Sequence, residues 1–467
     1  MDQQVLIRHI ILVFLIVAGC LACDPLANPV SGRIEFSSDT VSFDTVFSGV
    51  GSATREFRAI NRGKEPVLID RIWLAGGEAS PFRLNINGVP STEADNLLLA
   101  QGDSLFVFVE VTVDPTGEDS PVAVIDSVVF MSGSYVSRVI LEAWGQEIRL
   151  VEGDIYGNVT WSEGRPYVIR GSLFIDTTAV LTMEPGTRVY FHYDAGMTVA
   201  GALRALGTAE KPVLMATDRI EKEYTDVPGR WKGLLFLDCS RGNRLQFTEV
   251  RNAAEAVRIS GSEGSQPDVT FHGARLMHNS VASLVAHHAD VSAVNSLFAH
   301  SGFSTVSLTG GGSGSFIHCT VMNRWEYGYR TEPAMFIGRG DGTLPDVTVL
   351  NSVLSGTLNN EIIIDADRAE AAGSFRADSS MIRIDTLAAD WFSSPLFRDV
   401  FTTGTLQFID ETAWDYRPDT LSPLLDIAGR EEAVAWPYDI RQMPRPSGDG
   451  PDIGAFERQP GEKRPER

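Results

Sequence analysis

Short alternations of apolar and polar residues, interrupted by glycine and proline, run along most of the chain. The stretch Val180–Phe191, VLTMEPGTRVYF, is typical, because Leu181 and Met183 would share one face of a strand and the second half alternates in the same way. Between the halves, Pro185-Gly186 predicts a sharp turn, since proline fixes φ and glycine permits positive φ. Two interpretations are open: the second strand folds back as a hairpin, or the chain turns a corner and continues.

Repeated segments further along the chain favour the corner. Five of them can be aligned on one residue each: Thr248, Ala274, Asn295, Cys319 and Asn351. The alignment gives spacings of 26, 21, 24 and 32 residues. A loose period in the low twenties is typical of a solenoid, in which each coil buries its apolar face by stacking on its neighbours. We therefore predict a coiled β domain over residues 148–400, with Pro185-Gly186 at a corner between two sheets.

The N-terminal part of the chain shows strand patterns without a repeating unit. Eight of them follow in quick succession: Arg33–Phe36, Val41–Val46, Ala53–Asn61, Val67–Leu74, Phe82–Ile86, Ser104–Val113, Val122–Met131 and Val136–Ala143. So many short strands, with no helical period between them, predict a β-sandwich over residues 33–147. The fold class that we expect is therefore all-β, a sandwich followed by a solenoid.

Part of the predicted sandwich resembles a known kind of module. The segment Val41–Ile72 is similar to the immunoglobulin-like modules of bacterial surface proteins and of spindle- and cilium-associated proteins. The matching residues are Phe43, Asp44, Val46, Gly49, Phe57, Asn61, Gly63, Pro66 and Ile69. The glycine expected after Phe43 is missing, because Asp44 follows directly. The resemblance implies an immunoglobulin-like sandwich that serves as a spacer or binds a partner.

The coiled domain resembles a second family. The segments Leu181–Phe191, Gly201–Thr208 and Trp231–Leu234 are similar to proteins of the pectin-lyase-like class, which implies a right-handed parallel β-helix. The segment Pro437–Glu457, PYDIRQMPRPSGDGPDIGAFE, resembles the closing segment of many secreted bacterial β-helix proteins. We interpret residues 401–457 as a cap over the last coil, because an open solenoid end invites edge pairing. Residues 458–467 are expected to be a disordered tail.

Residues 1–19 have the pattern of an export signal. Arg8 precedes the apolar run Ile10–Ala18, which is shorter than the ~20 residues that a membrane span needs. The tetrapeptide Val17-Ala18-Gly19-Cys20 then resembles the bacterial lipobox, in which the cysteine is acylated and becomes the first residue. Cys23 is a second candidate, and an ordinary signal peptide with incidental cysteines is the alternative.

The lipobox resemblance implies a partner and a location. Acyl chains on Cys20 would anchor the protein to a lipid bilayer, with residues 20–32 as a tether. The expected location is the bacterial cell envelope, at the outer membrane, with exposure at the cell surface possible.

Charge and cysteine usage exclude several classes of function. The formal charge is −22 at pH 7, which argues against nucleic acid as a partner. The four cysteines, two of them near the N-terminus, form neither a disulfide framework nor a metal-ligand cluster. His287 and His288 would point to opposite faces of a strand, so we predict no metal site there and no cofactor.

The best candidate for a binding surface is an insertion between the fourth and fifth repeats. This aromatic loop, Asn323–Pro333, reads NRWEYGYRTEP. Its candidate ligand-binding residues are Arg324, Trp325, Tyr327, Tyr329 and Arg330. At strand spacing the three rings would lie on one face, where rings beside charges suit a sugar or a partner protein. The alternative is that the rings only pack the loop onto the coil.

Catalytic groups are harder to find. Parallel β-helix hydrolases use paired aspartates on neighbouring coils, a Gly-His-Gly and an Arg-x-Lys, and here only Arg230-Trp231-Lys232 matches, without partners. Lyases of this class often bind Ca²⁺ through several carboxylates, and the nearest candidates, Asp365 and Asp367, are too few for a good calcium site. We therefore assign no catalytic residue and predict a non-catalytic binding or structural role, with a glycan or a protein as ligand at the bacterial surface. The alternative is a polysaccharide lyase or glycoside hydrolase of the parallel β-helix class.

Overall fold

The computed structural model describes residues 29–115, 117, 121–262, 268–384, 397–400, 402 and 405–462. These residues are almost entirely in strands and loops, and they form two compact units that divide between Glu147 and Ile148. Within them we find no helix with the length and hydrophobicity to span a bilayer. The predicted export signal and the acylation site at Cys20 or Cys23 lie outside the described residues.

The first unit is a β-sandwich of ten strands. They are β1 (Glu35–Phe36), β2 (Thr40–Phe47), β3 (Arg55–Ile60), β4 (Val67–Leu74), β5 (Phe82–Ile86), β6 (Val89–Pro90), β7 (Glu93–Leu99), β8 (Ser104–Val111), β9 (Val122–Ser132) and β10 (Tyr135–Gln146). One sheet has the order β1-β3-β8-β5-β6 and the other β2-β10-β9-β4-β7. All eight predicted strands are present, and β6 and β7 are additional.

Alternation explains how these strands form a core. Along β8, every second residue from Leu105 to Val111 is buried, and buried residues of both sheets form one apolar cluster. Asp44, which stands where the resemblance leads one to expect a glycine, has a φ of 51° at a bulge of β2 against β10. Aspartate tolerates this left-handed conformation better than most residues do, which explains why the glycine is dispensable.

The second unit is a parallel β-helix of about eight turns, which confirms the predicted fold class. The first sheet contains β14 (Ser172–Ile175), β17 (Gly196–Val199), β20 (Leu234–Leu237), β23 (Glu255–Ser260), β30 (Met335–Gly338) and β33 (Ile362–Asp365). The second contains β12 (Asn158–Trp161), β15 (Val180–Met183), β18 (Ala202–Leu206), β21 (Asn243–Gln246), β24 (Asp268–His272), β31 (Asp346–Leu350), β34 (Phe375–Asp378) and β36 (Phe397–Arg398). Two long strands, β26 (Ala282–Val294) and β28 (Val306–Ile317), belong to both sheets.

The third sheet completes each coil. Its strands are β11 (Arg149–Val151), β13 (Tyr167–Ile169), β16 (Arg188–Phe191), β19 (Val213–Thr217), β22 (Thr248–Arg251), β25 (Arg275–Met277), β27 (Leu297–Ala299), β29 (Thr320–Asn323), β32 (Val353–Gly356) and β35 (Met381–Ile382). Outside the coils lie the hairpin β37 (Phe408–Asp410) and β38 (Asp415–Pro418), helix α1 (Arg368–Ser374) and helix α2 (Arg430–Ala435). Short 3₁₀ turns occupy Gly77–Ala79, Lys222–Tyr224 and Glu411–Ala413.

Pro185-Gly186 turns a corner, as predicted. β15 pairs with β12 and β18 in the second sheet, whereas β16 pairs with β13 and β19 in the third. Residues with positive φ recur at this corner in later coils: Phe247, Gly273, Asn295, His318, Asn351 and Ser379. Strand pairing aligns Thr248, Ala274, Ser296, Cys319 and Ser352, so the sequence alignment is one residue out at Asn295 and Asn351.

The C-terminal segment, residues 405–462, lies along the side of the β-helix; we call it the C-terminal strap. Its apolar residues pack on the outer face of the third sheet in the later coils, against Leu297, Ala299, Met322, Val353 and Met381. The strap residues in this cluster include Tyr416, Ile453, Ala455 and Phe456. The expectation of a cap over the last coil is therefore wrong for these residues, because the apolar surface that they cover is lateral.

Hydrogen bonds fix the strap across successive coils. Arg445 Nη1 donates to Asn295 Oδ1 (2.8 Å), the Ala455 amide donates to Thr320 Oγ1 (3.1 Å), and the Gly454 amide donates to the Asn351 carbonyl (2.8 Å). Within the strap, Glu462 accepts from Arg441 Nη1 at 2.5 Å. The tail predicted to be disordered from residue 458 is thus ordered as far as residue 462, and the rest of it lies outside the described residues.

Candidate functional site

The aromatic loop lies at the corner where the chain passes from the third sheet to the first. It begins at Asn323, the last residue of β29, and ends before β30. Residues 324–333 contain no strand, so the prediction of three rings on one face of a strand is wrong. Two other segments meet it there: the long connection between β19 and β20, through Asp226, and the strap, through Glu411. The site is therefore built from three loops on one corner of the β-helix.

The aromatic rings of the loop differ in exposure. Trp325 and Tyr327 contact each other, with ring centroids 5.2 Å apart and planes inclined by 54°. Tyr327 is 58% exposed and Tyr329 is fully exposed. Trp325 is half-buried and packs near Gly302 of the preceding coil, where an added Cβ would lie 3.2 Å from Trp325 Cζ2. The loop thus combines one supported ring with two that face solvent.

Polar contacts hold these rings in place. Tyr327 Oη donates to the main-chain carbonyl of Asp226 (3.2 Å). Arg324 Nη1 donates to Glu411 Oε2 (3.2 Å), and its Nε lies 3.6 Å from Glu326 Oε1. Since the contacts with Asp226 and Glu411 reach two other segments, the orientation of the loop depends on the whole corner. Burial, together with the nearby charges of Asp226 and Glu326, raises the pKa of Tyr327.

Arg330 does not belong to this surface. Its guanidinium is buried and forms a two-pronged ion pair with Glu361, with N–O distances of 2.5 and 2.8 Å. Glu361 also accepts from the amides of Ala334 (2.8 Å) and Leu358 (2.7 Å). Removal of one partner of such a pair leaves a buried charge uncompensated. Arg330 therefore closes the base of the loop and is not accessible to a ligand, contrary to the sequence-based expectation.

A cluster of histidines and aromatic rings lies behind the loop. His300 Nε2 lies 2.6 Å from Tyr416 Oη, and the His300 ring is 4.1 Å from that of Trp414. His278 stacks beside His300 at 4.5 Å, and its Nε2 lies 3.4 Å from Asp226 Oδ1. Burial lowers the pKa of His278 to about 4, although Asp226 opposes the shift. Burial also lowers the pKa of His300 well below its ordinary value, so both rings are neutral near pH 7.

The charged groups at this corner are mainly acidic. Asp226, Glu326 and Glu411 are all partly exposed, and Arg324 lies among them. Three carboxylates beside one guanidinium give the surface a negative potential, in line with the net charge of the chain. Polyanionic ligands would meet repulsion here.

The candidate catalytic residues do not converge on a common site. In Arg230-Trp231-Lys232, the central ring is buried and stacked on Phe191 at 3.9 Å. Arg230 lies over the rings of Tyr193 and Tyr224, while Lys232 pairs with Asp194 at 3.3 Å.

The other candidates, the two aspartates, also have separate positions. Asp365 ends β33, and Asp367 precedes α1 and accepts from the amide of Glu370 at 3.0 Å. Asp367 therefore has the role of a helix N-terminal residue.

The prediction for His287 and His288 is also wrong. The register of β26 against β28 shifts between His287 and Ala289, and His288 has a φ of 47°. This bulge turns both imidazoles toward Asp341, with His287 Nε2 at 2.9 Å and His288 Nε2 at 3.2 Å from its Oδ1. Strict alternation fails here because the corner between the first and second sheets falls within one strand.

Comparisons with known proteins give no family for the chain. No protein-family model and no curated protein matches it. Among solved structures, it is similar to a family 123 glycoside hydrolase from Clostridium perfringens, from a study of glycolipid glycan hydrolysis, at 7% identity over 25% of this chain and a TM-score of 0.18. The chain spans about a quarter (26%) of that hydrolase chain.

A second similar structure is the ASH/PapD-like domain 7 of human CEP192. It is 13% identical over 27% of this chain and 92% of that chain, with a TM-score of 0.18. Neither likeness is close enough to support an argument about function.

Proposed function

We propose that the protein is a lipid-anchored protein of the bacterial cell envelope whose β-helix binds a neutral glycan at the aromatic loop. The role is non-catalytic. The N-terminal sandwich, for which the sequence resemblance implies an immunoglobulin-like module, serves as a spacer between the acylated Cys20 and the binding domain.

The exposed rings of the aromatic loop carry the proposal. Tyr327 and Tyr329 present large apolar faces to solvent, and a folded protein gains nothing in stability from a tyrosine that is fully exposed. Trp325 supports Tyr327 from below, and the hydrogen bond to Asp226 fixes the ring. Rings that are held in position before binding lose little entropy when a ligand arrives, which favours affinity.

The charges at the corner indicate the class of glycan. The carboxylates of Asp226, Glu326 and Glu411 can accept hydrogen bonds from sugar hydroxyl groups, as in many polar sites. They would repel uronate or sulfate groups, because Arg324 supplies one positive charge against their three negative ones. We therefore expect a neutral polysaccharide rather than an acidic one.

Affinity electrophoresis tests the proposal. The full chain in detergent would be run through gels that contain neutral or acidic polysaccharides. We expect a neutral glycan to retard the wild type, and we expect Tyr329→Ala and Trp325→Ala to weaken the apparent affinity at least about tenfold, or about 1.4 kcal/mol. Tyr156→Ala is the matched control, because Tyr156 is also exposed on the β-helix, at 70%, and is not in the aromatic loop.

Incubation of the protein with the same polysaccharides in solution distinguishes binding from catalysis. New reducing ends or unsaturated products, found after incubation of a glycan with the wild type, would replace the binding proposal with the polysaccharide-degrading alternative. Retardation that is equal in wild type, Tyr329→Ala and Trp325→Ala would remove the aromatic loop from the proposal. Because Trp325 is half-buried, its variant also needs an unfolding curve that matches the wild type.

A further inference from the structure

We propose that His287, His288 and Asp341 form a zinc-binding site, at the corner between the first and second sheets of the β-helix. We call these three residues the His–His–Asp triad. The site is independent of the aromatic loop, which lies on a different corner.

The distances within the triad fit one small ion. His287 Nε2 and His288 Nε2 lie 2.9 and 3.2 Å from Asp341 Oδ1, and all three potential ligand atoms lie within 4.8 Å of one another. Nitrogen and oxygen ligands about 2.0–2.2 Å from a tetrahedral zinc ion are about 3.3–3.6 Å apart. Small side-chain rotations would therefore bring the three atoms to zinc-binding distances.

A run of glycines lets the triad assemble from different coils. The histidines belong to β26, and Asp341 belongs to the loop after β30, so the coil of β28 lies between them. That coil contributes Gly310–Gly312, which has positive φ throughout. A Cβ at Gly310 would lie 2.7 Å from His287 Cε1, so any side chain there would collide with the imidazole. The missing side chains open the space across which Asp341 reaches the histidines.

A neighbouring hydroxyl group can orient one ligand. Thr309 Oγ1 lies 3.0 Å from His287 Nδ1. If Nδ1 carries the proton and donates it to this hydroxyl, the lone pair of His287 is on Nε2, which faces Asp341. Metal-binding histidines usually make such a second hydrogen bond, which fixes the tautomer and the ring orientation.

The donor set favours zinc over the hard cations. Two imidazoles and one carboxylate suit a borderline ion such as Zn²⁺, whereas Ca²⁺ and Mg²⁺ take oxygen ligands. Three protein ligands leave one tetrahedral position open. The triad itself lines a cleft of about 410 Å³, together with Gly261, Ser262 and Thr343 among others. Asp341 is 74% exposed, so an ion can reach the triad from solvent.

Isothermal titration calorimetry with ZnCl₂ tests the site. The full chain would be purified in detergent without a histidine tag and treated with EDTA, which is then removed. We expect one ion per chain for the wild type, and no binding of MgCl₂ or CaCl₂. His288→Ala and Asp341→Asn should weaken zinc binding by more than the roughly 10–100-fold loss that we expect for Thr309→Val, which removes only the outer hydrogen bond.

A matched control comes from another histidine–aspartate pair. His192 Nδ1 lies 2.6 Å from Asp218 Oδ2, and no third ligand joins them among the described residues, so His192→Ala should bind zinc as the wild type does. Unfolding temperatures in EDTA check that the variants fold. Two results would overturn the proposal and leave a hydrogen-bonded triad without metal. One is the absence of zinc binding in the wild type, and the other is zinc binding by His288→Ala and Asp341→Asn that is as tight as that of the wild type.

Discussion

Buried histidines show how the coil changes the chemistry of single residues. His278, His300 and His318 all have pKa values lowered by burial, and His278 is brought to about 4. An unfolded histidine has a pKa of about 6.5, so the unfolded chain binds more protons than the folded chain between about pH 4 and 6.5. The contribution of these histidines to the free energy of unfolding therefore falls as the pH drops through this window.

The variant His278→Gln tests this linkage. Its free energy of unfolding should depend less on pH than that of the wild type, by about 1–2 kcal/mol between pH 7 and pH 5, because glutamine binds no proton there. Urea denaturation at both pH values gives the comparison. A wild type and a variant that lose the same free energy on acidification would contradict a neutral His278 in the folded state.

Some residues of the sites could not be placed from the sequence. Strand alternation separates His287 from His288, and only the bulge at His288 brings their rings together. The Gly310–Gly312 run was a visible signal, because three glycines in an otherwise regular strand indicate a bulge or a close approach. In the same way, the sequence of the aromatic loop suggests that Arg330 is an accessible cation. Its buried partner Glu361 is 31 residues away, so the loop sequence does not reveal the ion pair.

Among the elements, the strands were the most predictable and the strap the least. The two-residue period and the Pro185-Gly186 corner are local properties, so short segments reveal them. The strap has no period, and its position depends on the outer face of the third sheet. In earlier coils this outer face carries the charged residues Glu249, Arg251 and Arg275, whereas in later coils it is apolar. The later strands β27, β29 and β32 are therefore buried on both of their faces, and every residue in them is buried.

A single substitution in the strap tests how tightly it packs. Ile453 is buried in the cluster on the third sheet, so Ile453→Ala should lower the free energy of unfolding by about 2–5 kcal/mol. Val434→Ala is the control, because Val434 is 82% exposed on α2 and should change stability by less than about 0.5 kcal/mol. Equal urea midpoints for the two variants would show that the strap adds nothing to the stability of the β-helix.

For the whole molecule, strand patterns and repeats were enough to predict two all-β parts, but the proposed anchoring depends on a segment outside both of them. The proposed location rests on the lipobox-like segment ending in Cys20. In a bacterial host fed a labelled fatty acid, we expect the wild type and Cys23→Ala to incorporate label and to enter the membrane fraction. Cys20→Ala should lose both. If the label persists in Cys20→Ala and disappears in Cys23→Ala, the acylated residue is Cys23 and the assignment to Cys20 is wrong.

The position of the strap has a consequence for truncated chains. The strap follows all the described coils in the sequence, so a chain that stops before residue 405 would leave Leu297, Met322, Val353 and Met381 without their cover. Such a chain would present this apolar surface to chaperones and proteases. Residues 405–462 thus distinguish a chain that can bury this surface from one that cannot.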